Sequence, residues 1–403
     1  MMCMIPLRLL AMTVTNAFGA GNAASVRALR EGRSALRALD IEATNLPTWI
    51  GRVDGLESAP LEGEFAAADC RNNRLAALGL EQDGFLDAVR HCVARHGATR
   101  VGLFVATSTS GIQVAEAAYL ARGAGGGPLP WRYDYAATQG MFSLARYLRA
   151  RLGLRGPVQV VSTACSSSAK VFATAARHIR AGLCDAALVG GVDSLCLTTL
   201  HGFHALELLS SEPCRPWDVH RRGISIGEAA AFALVEPVGP ETPASGDEPC
   251  VLGVGETSDA WHMSSPHPDG TWAARAMREA LAQAGIEASA VDYINLHGTG
   301  TLANDAAEDR AVREVFGADI ACSSTKGGIG HTLGASGLTE ALFCALCLQE
   351  GFLPPNFNQV EVDPALGLRP LGEAVPVAAR YALSNSFGFG GSNASVLLGR
   401  SRP

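Results

Sequence analysis

A chain of 403 residues, 48% hydrophobic and only 18% charged, is long enough for one large two-part domain or two conventional ones around a deep core. Its formal net charge of −7 gives no overall attraction to nucleic acid or to an anionic membrane, so an acidic partner has to meet a local basic patch. Eleven cysteines, odd in number and without framework spacing, argue against a secreted disulfide scaffold and for a reducing cytoplasm, and no apolar run reaches the roughly 18 residues of a membrane span.

Met1 to Ala20 is apolar and ends in Ala-Phe-Gly-Ala, the wording of a short signal peptide. No basic residue precedes the apolar run and Arg8 interrupts it, so Ile5 to Asn16 is read as a first strand and turn. Arg100 to Ala106 and Val158 to Ser162 have the valine content and turn boundaries of short buried strands. Between them Gly123 to Pro130 is a Gly/Pro loop. Ala169 to Ala181 spaces its apolar residues as a helix, and Asp185 to Val192 is again apolar, closing on Gly190-Gly191. Such a strand, helix, strand unit implies parallel pairing and right-handed crossovers. Glu236 to Cys250 carries Pro237, Pro240, Pro243 and Pro249 and reads as a linker, dividing the chain into residues 1–240 and 251–403. The second part continues the same alternation, with a helix from Trp272 to Gly285, a strand from Val291 to Leu296, a helix from Asp305 to Phe316, then Lys326 to Gly337 and a last strand from Ala394 to Leu398. The pattern is layered α/β, with a weak internal duplication.

Four stretches carry candidate chemistry. Val161-Ser-Thr-Ala-Cys-Ser-Ser-Ser-Ala-Lys170 places Cys165 between a buried strand and a predicted helix, where unpaired amides would lower a thiol's pKa. The other cysteines read as small buried hydrophobes; Cys344 and Cys347 share a helix face but lack the second ligand pair of a metal site. Asn295-Leu-His-Gly-Thr-Gly-Thr301 sets His297 at the end of a strand, and Lys326-Gly-Gly-Ile-Gly-His331 sets His331 beside one of only two lysines in the chain. Neutral imidazoles that meet a cysteine can donate to an enolate-like oxygen, which suits decarboxylation better than a hydrolase's proton relay. Ser384-Asn-Ser-Phe-Gly-Phe-Gly-Gly-Ser-Asn393 can offer backbone N–H groups as an oxyanion hole.

Taken together with Arg215-Pro-Trp-Asp218 and Ser258-Asp-Ala-Trp-His-Met263, these motifs resemble the β-ketoacyl-acyl carrier protein synthases of the type I and II kinds, of the thiolase-fold superfamily, over nearly the whole chain. The resemblance implies two similar halves in a five-layered α/β/α/β/α body, a dimer with itself or with a homologous chain-length subunit, and a Cys165, His297, His331 triad. It implies that Cys165 takes an acyl group from the phosphopantetheine arm of an acyl carrier protein, the carbonyl oxygen held by the N–H groups of Cys165 and Phe389. A malonyl carrier then loses carbon dioxide and attacks the acyl group. By the same resemblance Lys326 supports His331 through Glu340, Phe389 gates the two half-reactions, Thr299 and Thr301 bind the pantetheine arm with Ser265 near its phosphate, and Arg71, Arg74 and Arg215 receive the acidic carrier. No bound cofactor and no metal are implied.

The segment Gly123 to Tyr135 is shorter than in housekeeping members, which points to a specialised pathway such as polyene or polyketide assembly rather than ordinary fatty acid elongation. A non-catalytic chain-length subunit is the main rival, but such subunits lose the nucleophile that this chain keeps. A type III synthase needs Cys-His-Asn, a degradative thiolase a second cysteine near the C-terminus, and a hydrolase a carboxylate to orient its histidine.

Overall fold

The computed structural model describes residues 4–122, 126–130, 133–239 and 248–400. Ten strands form its main sheet: β1 (Leu7–Thr15), β2 (Val101–Ala106), β3 (Val158–Val161), β4 (Ala186–Asp193), β5 (Ala229–Pro237), β6 (Pro249–Ser258), β7 (Tyr293–Asn295), β8 (Cys322–Ser323), β9 (Tyr381–Gly388) and β10 (Ser392–Arg400). β2 and β4 are buried along their whole length, the signature of strands covered on both faces.

From the centre outward the first half runs β1-β5-β4-β2-β3 and the second half β6-β10-β9-β7-β8. Both therefore read first, fifth, fourth, second, third, and in both the inner two pairings are antiparallel and the outer two parallel. The duplication that is faint in the sequence is complete in the topology. The halves join where β1 meets β6 through an antiparallel ladder of two pairs, Leu7 with Val251 and Arg8 with Cys250. Leu7–Thr15 is a strand, as its pattern predicts, and the topology places it at the centre of the sheet. The proline-rich connection lies in part, at 240–247, outside the described residues, as does 123–125 of the Gly/Pro loop.

Helices α1 (Arg71–Leu80), α2 (Phe85–His96) and α3 (Ser143–Arg151) cover the outer face of the first half, and α5 (Thr271–Ala284) and α6 (Leu302–Phe316) that of the second. Between the halves lie α4 (Lys170–Arg180) and α7 (Ser336–Glu350), each touching strands of both. This gives five layers. Thirteen of the fifteen residues of α7 are buried, because a helix that is apolar all round has to sit inside. Phe172 on α4 and Phe343 on α7 are fully buried in this middle core, where truncation of a phenylalanine to alanine costs about 3–5 kcal/mol. No helix among the described residues is long and apolar enough to cross a membrane.

Candidate active site

α4 and α7 each follow the third strand of their half, and the loops that feed them meet between the sheets. In the first loop Thr163 N–H donates to Ser167 Oγ (2.7 Å), Ser167 Oγ to the Ala164 carbonyl (2.5 Å) and Ser166 Oγ to the Thr163 carbonyl (3.0 Å). These side-chain bonds compete with helical ones, and Ala164 turns through φ 52°, so α4 begins only at Lys170. Cys165 consequently lies ahead of the helix rather than in its first turn. The expected lowering of its pKa is not found: burial pushes the thiol up to about 11, against the pull of the Lys326 charge and of the Phe389 and Cys165 backbone N–H groups, both of which point at the sulfur.

In the second loop Gly330 has φ 78°, and a side chain there would sit 2.8 Å from the Gly227 nitrogen; only glycine admits the approach. His331 N–H then donates to the Ser225 carbonyl (2.7 Å) and Gly227 N–H to the His331 carbonyl (2.9 Å). Held this way, His331 brings Nε2 to 2.9 Å from Cys165 Sγ. His297 follows β7, its N–H donating to Glu308 Oε1 (2.7 Å) and that of Gly298 to Oε2 (2.8 Å). The two imidazoles stand edge to face with centroids 5.4 Å apart, and the ligand atoms of Cys165, His297 and His331 all lie within 4.8 Å of one another. Burial first, and then the nearby Lys326 charge, hold both imidazoles well below the usual histidine range, so both are neutral at pH 7.

Lys326 is fully buried, with Nζ 2.5 Å from Glu340 Oε1, while Ser336 Oγ donates to Glu340 Oε2 (3.0 Å). Burial raises the Glu340 carboxyl, opposed by the ammonium. The arrangement keeps a fixed positive charge beside the two rings without placing the amine among the reacting atoms.

A cavity of about 450 Å³ reaches these groups, lined by Thr299, Thr301, Ser265 and Phe389 along with the triad. Thr299 Oγ1 and Thr301 Oγ1 lie 2.9 Å apart, and Thr301 also caps α6 by accepting from Asn304 N–H. Phe389 meets the ring of Phe203 at 5.4 Å. The expected triad, gating and pantetheine positions thus line one cavity, while Lys326 and Glu340 are buried behind it.

The three arginines do not. Arg71 is buried, its guanidinium held by Glu228 at 2.6 Å and by Glu57, which leaves it poorly placed to receive a carrier as the sequence led one to expect. Arg74 is held by Asp69 at 2.6 Å and Arg215 by Glu212.

Glu308, which holds the His297 backbone, and Phe203, which lines the cavity, were missed by sequence reasoning. Glu308 was findable as the buried acid on the helix following His297; Phe203 has no local signal. Cysteine and two imidazoles are a soft donor set, yet a raised thiol pKa and the Lys326 charge oppose a cation there. A second compact group, Cys92, His96 and Glu236, has Arg8 and Arg95 on its carboxylate.

Residues 9–239 match the beta-ketoacyl synthase N-terminal domain and residues 249–360 the beta-ketoacyl synthase C-terminal domain. The chain is 35% identical over 384 residues to Nodulation protein E of Rhizobium sp. (strain N33), covering 91% of this chain and 92% of that one. It is 40% identical over 267 residues to 3-oxoacyl-(acyl-carrier-protein) synthase 2 of Rhizobium meliloti (strain 1021), covering 61% and 62%. Among solved structures it is similar to a ketosynthase (ApeO) in complex with its chain length factor (ApeC) from Xenorhabdus doucetiae, with a TM-score of 0.88, 36% identity and 98% of each chain covered.

Proposed function

Because the chain belongs to the beta-ketoacyl synthase family of condensing enzymes, we propose that it catalyses decarboxylative Claisen condensation between an acyl group on Cys165 and a malonyl-acyl carrier protein. The observation that carries this reading is a thiol 2.9 Å from one neutral imidazole, with a second neutral imidazole edge-on to the first.

In the first half-reaction Cys165 Sγ attacks the acyl thioester, and its proton passes to His331 Nε2. The oxyanion is received by the N–H groups of Cys165 and Phe389, the carrier's carbon–sulfur bond breaks, and the pantetheine thiolate takes the proton from His331. In the second, the malonyl carboxylate leaves as carbon dioxide, and the resulting enolate oxygen accepts hydrogen bonds from His297 and from His331, which has exchanged its Nδ1 proton for one on Nε2 through solvent. Its carbon then attacks the acyl-cysteine, the bond to Sγ breaks, and the released thiolate takes a proton from water. The product is a 3-ketoacyl carrier two carbons longer.

The pantetheine arm lies along Thr299, Thr301 and Ser265, Phe389 swings between the half-reactions, and Glu340 holds Lys326 in place. The enzyme works in the cytoplasm, needs no bound cofactor, and assembles as a dimer with itself or with a homologous chain-length subunit. Similarity to the ketosynthase and chain length factor complex favours the second arrangement, and the short Gly123 to Tyr135 segment of the sequence favours a specialised polyene or polyketide pathway. A silent chain-length role for this chain itself is disfavoured by the intact triad.

Incubation with acyl carrier, malonyl carrier and the chain, alone and with each candidate partner, tests the reading. Release of carbon dioxide with formation of 3-ketoacyl carrier is expected; exchange or hydrolysis of thioesters without carbon dioxide contradicts it.

A further inference from the structure

Asp193 ends β4, is fully buried, and touches neither the cavity nor the triad. Its carboxylate nevertheless accepts six hydrogen bonds. Oδ1 receives Thr107 Oγ1 (2.9 Å), Ser108 N–H (2.8 Å), Thr109 N–H (2.7 Å) and Thr109 Oγ1 (2.8 Å). Oδ2 receives Ser108 Oγ (2.8 Å) and Ala335 N–H (3.1 Å). Ser108 Oγ in turn accepts from Gly334 N–H (2.9 Å).

Gly334 and Ala335 lie just beyond His331, so Asp193 and Ser108 grip the downstream end of the loop whose upstream end is fixed by Ser225 and Gly227. A side chain at position 334 would sit 2.8 Å from both Asp193 Oδ2 and Ser108 Oγ, so the backbone is pressed directly onto the clamp. The Cys165 loop is tied to the same point: Ser168 N–H donates to the Gly334 carbonyl (3.0 Å) and Leu338 N–H to Ser168 Oγ (2.8 Å). The thiol and His331 come from opposite halves of the chain, yet both loops are pinned to Gly334.

We infer that Asp193, with Ser108, is a positioning group that sets the spacing between Cys165 and His331 by clamping the Gly334–Ala335 backbone. An amide cannot replace the carboxylate. Either orientation of asparagine turns its NH2 against backbone donors, at Ala335 on one side or at Ser108 and Thr109 on the other. The inference rests on the assignment of Cys165 and His331 as the reacting pair, and its test uses thiol chemistry, which does not require condensation.

The rate constant for alkylation of Cys165 by iodoacetamide at pH 8, per titratable thiol, reports the pair. The negative charge of Asp193 pushes the thiol pKa up, so neutralising it without moving anything speeds the reaction. Displacement of His331 slows it. Asp193→Asn is therefore expected to slow alkylation three- to tenfold, and Ser108→Ala, which changes no charge, two- to fivefold. Glu236→Gln, a buried carboxylate at the far end of β5, is expected to lower thermal stability and leave the rate per thiol unchanged. An Asp193→Asn rate equal to or above wild type overturns the inference, as does an equal slowing by Glu236→Gln. If Asp193→Asn fails to fold, Ser108→Ala decides alone. Wild-type alkylation without condensation would remove the proposed function and leave this result standing.

Discussion

After its third strand the first half sends the chain through Thr163–Ser168 into α4, and after its own third strand the second half sends it through Lys326–Ala335 into α7. The paths correspond strand for strand, but the first loop delivers one thiol while the second delivers an imidazole and a buried ammonium. The loops after the second strands diverge in the same way. Thr107, Ser108 and Thr109 in the first half turn inward to bind Asp193, whereas His297 in the second half faces the cavity. The comparison teaches that one half supplies the thiol and the other the two imidazoles and the ammonium, so that neither half is a site without the other.

The largest effect that could break this division is Cys165→Ala. It is expected to abolish acylation and condensation together, a loss above about 10⁴-fold in product formation, with thermal melting within a few degrees of wild type. The two imidazoles should separate next. His331→Ala is expected to slow both half-reactions, since Nε2 faces the sulfur, while His297→Ala slows only carbon dioxide release, each by about 10²–10³-fold in single-turnover assays. Equal loss of acylation in the two variants would erase the distinction.

Lys326→Ala removes one member of a fully buried pair and leaves Glu340 uncompensated, which costs about 3–5 kcal/mol in denaturant titration. A Lys326→Met, Glu340→Leu double variant should recover most of the stability and little of the activity. That outcome marks the ammonium as a functional charge in the second half rather than a structural one.

The smallest effect is a pH dependence. Burial pushes the Glu308 carboxyl up to about 7 from 4.5, so the folded chain holds this proton more tightly than the unfolded chain. Its contribution to stability is present below pH 4.5 and is lost as pH rises through 7. His297 and His331, held well below 6.5, have the opposite sign and cost stability as pH falls below 6.5. Glu308→Gln isolates the carboxyl: between pH 5 and pH 8 the wild type should lose melting temperature relative to the variant, by a few degrees.

Much of the site was legible because its chemistry sits in short contiguous words. Cys165 and His297 each follow a strand that apolar patterning marks out, His331 sits in a glycine-rich word, and the rarity of lysine singles out Lys326. What escaped depends on distant partners. Arg71 looks like a surface arginine until Glu228, far along the chain, is folded against it. Asp193 follows an ordinary buried strand and acquires a role only when Ala335 arrives from the other half. The start of α4 was read to within a residue, but serine hydroxyls hold Thr163–Ser168 in turns that keep Cys165 ahead of the helix, which apolar periodicity does not register. The two-fold strand order was faint for a related reason: the halves share a path while their loops do unrelated work.

Intact-mass measurement of wild type, Cys165→Ala and His297→Ala after exposure to an acyl carrier, then to malonyl carrier, tests the division of labour most directly. The account predicts an acyl adduct on wild type that malonyl carrier discharges, the same adduct left standing on His297→Ala, and none on Cys165→Ala. An adduct of equal yield on Cys165→Ala, or one on His297→Ala that malonyl carrier clears at the wild-type rate, would contradict it.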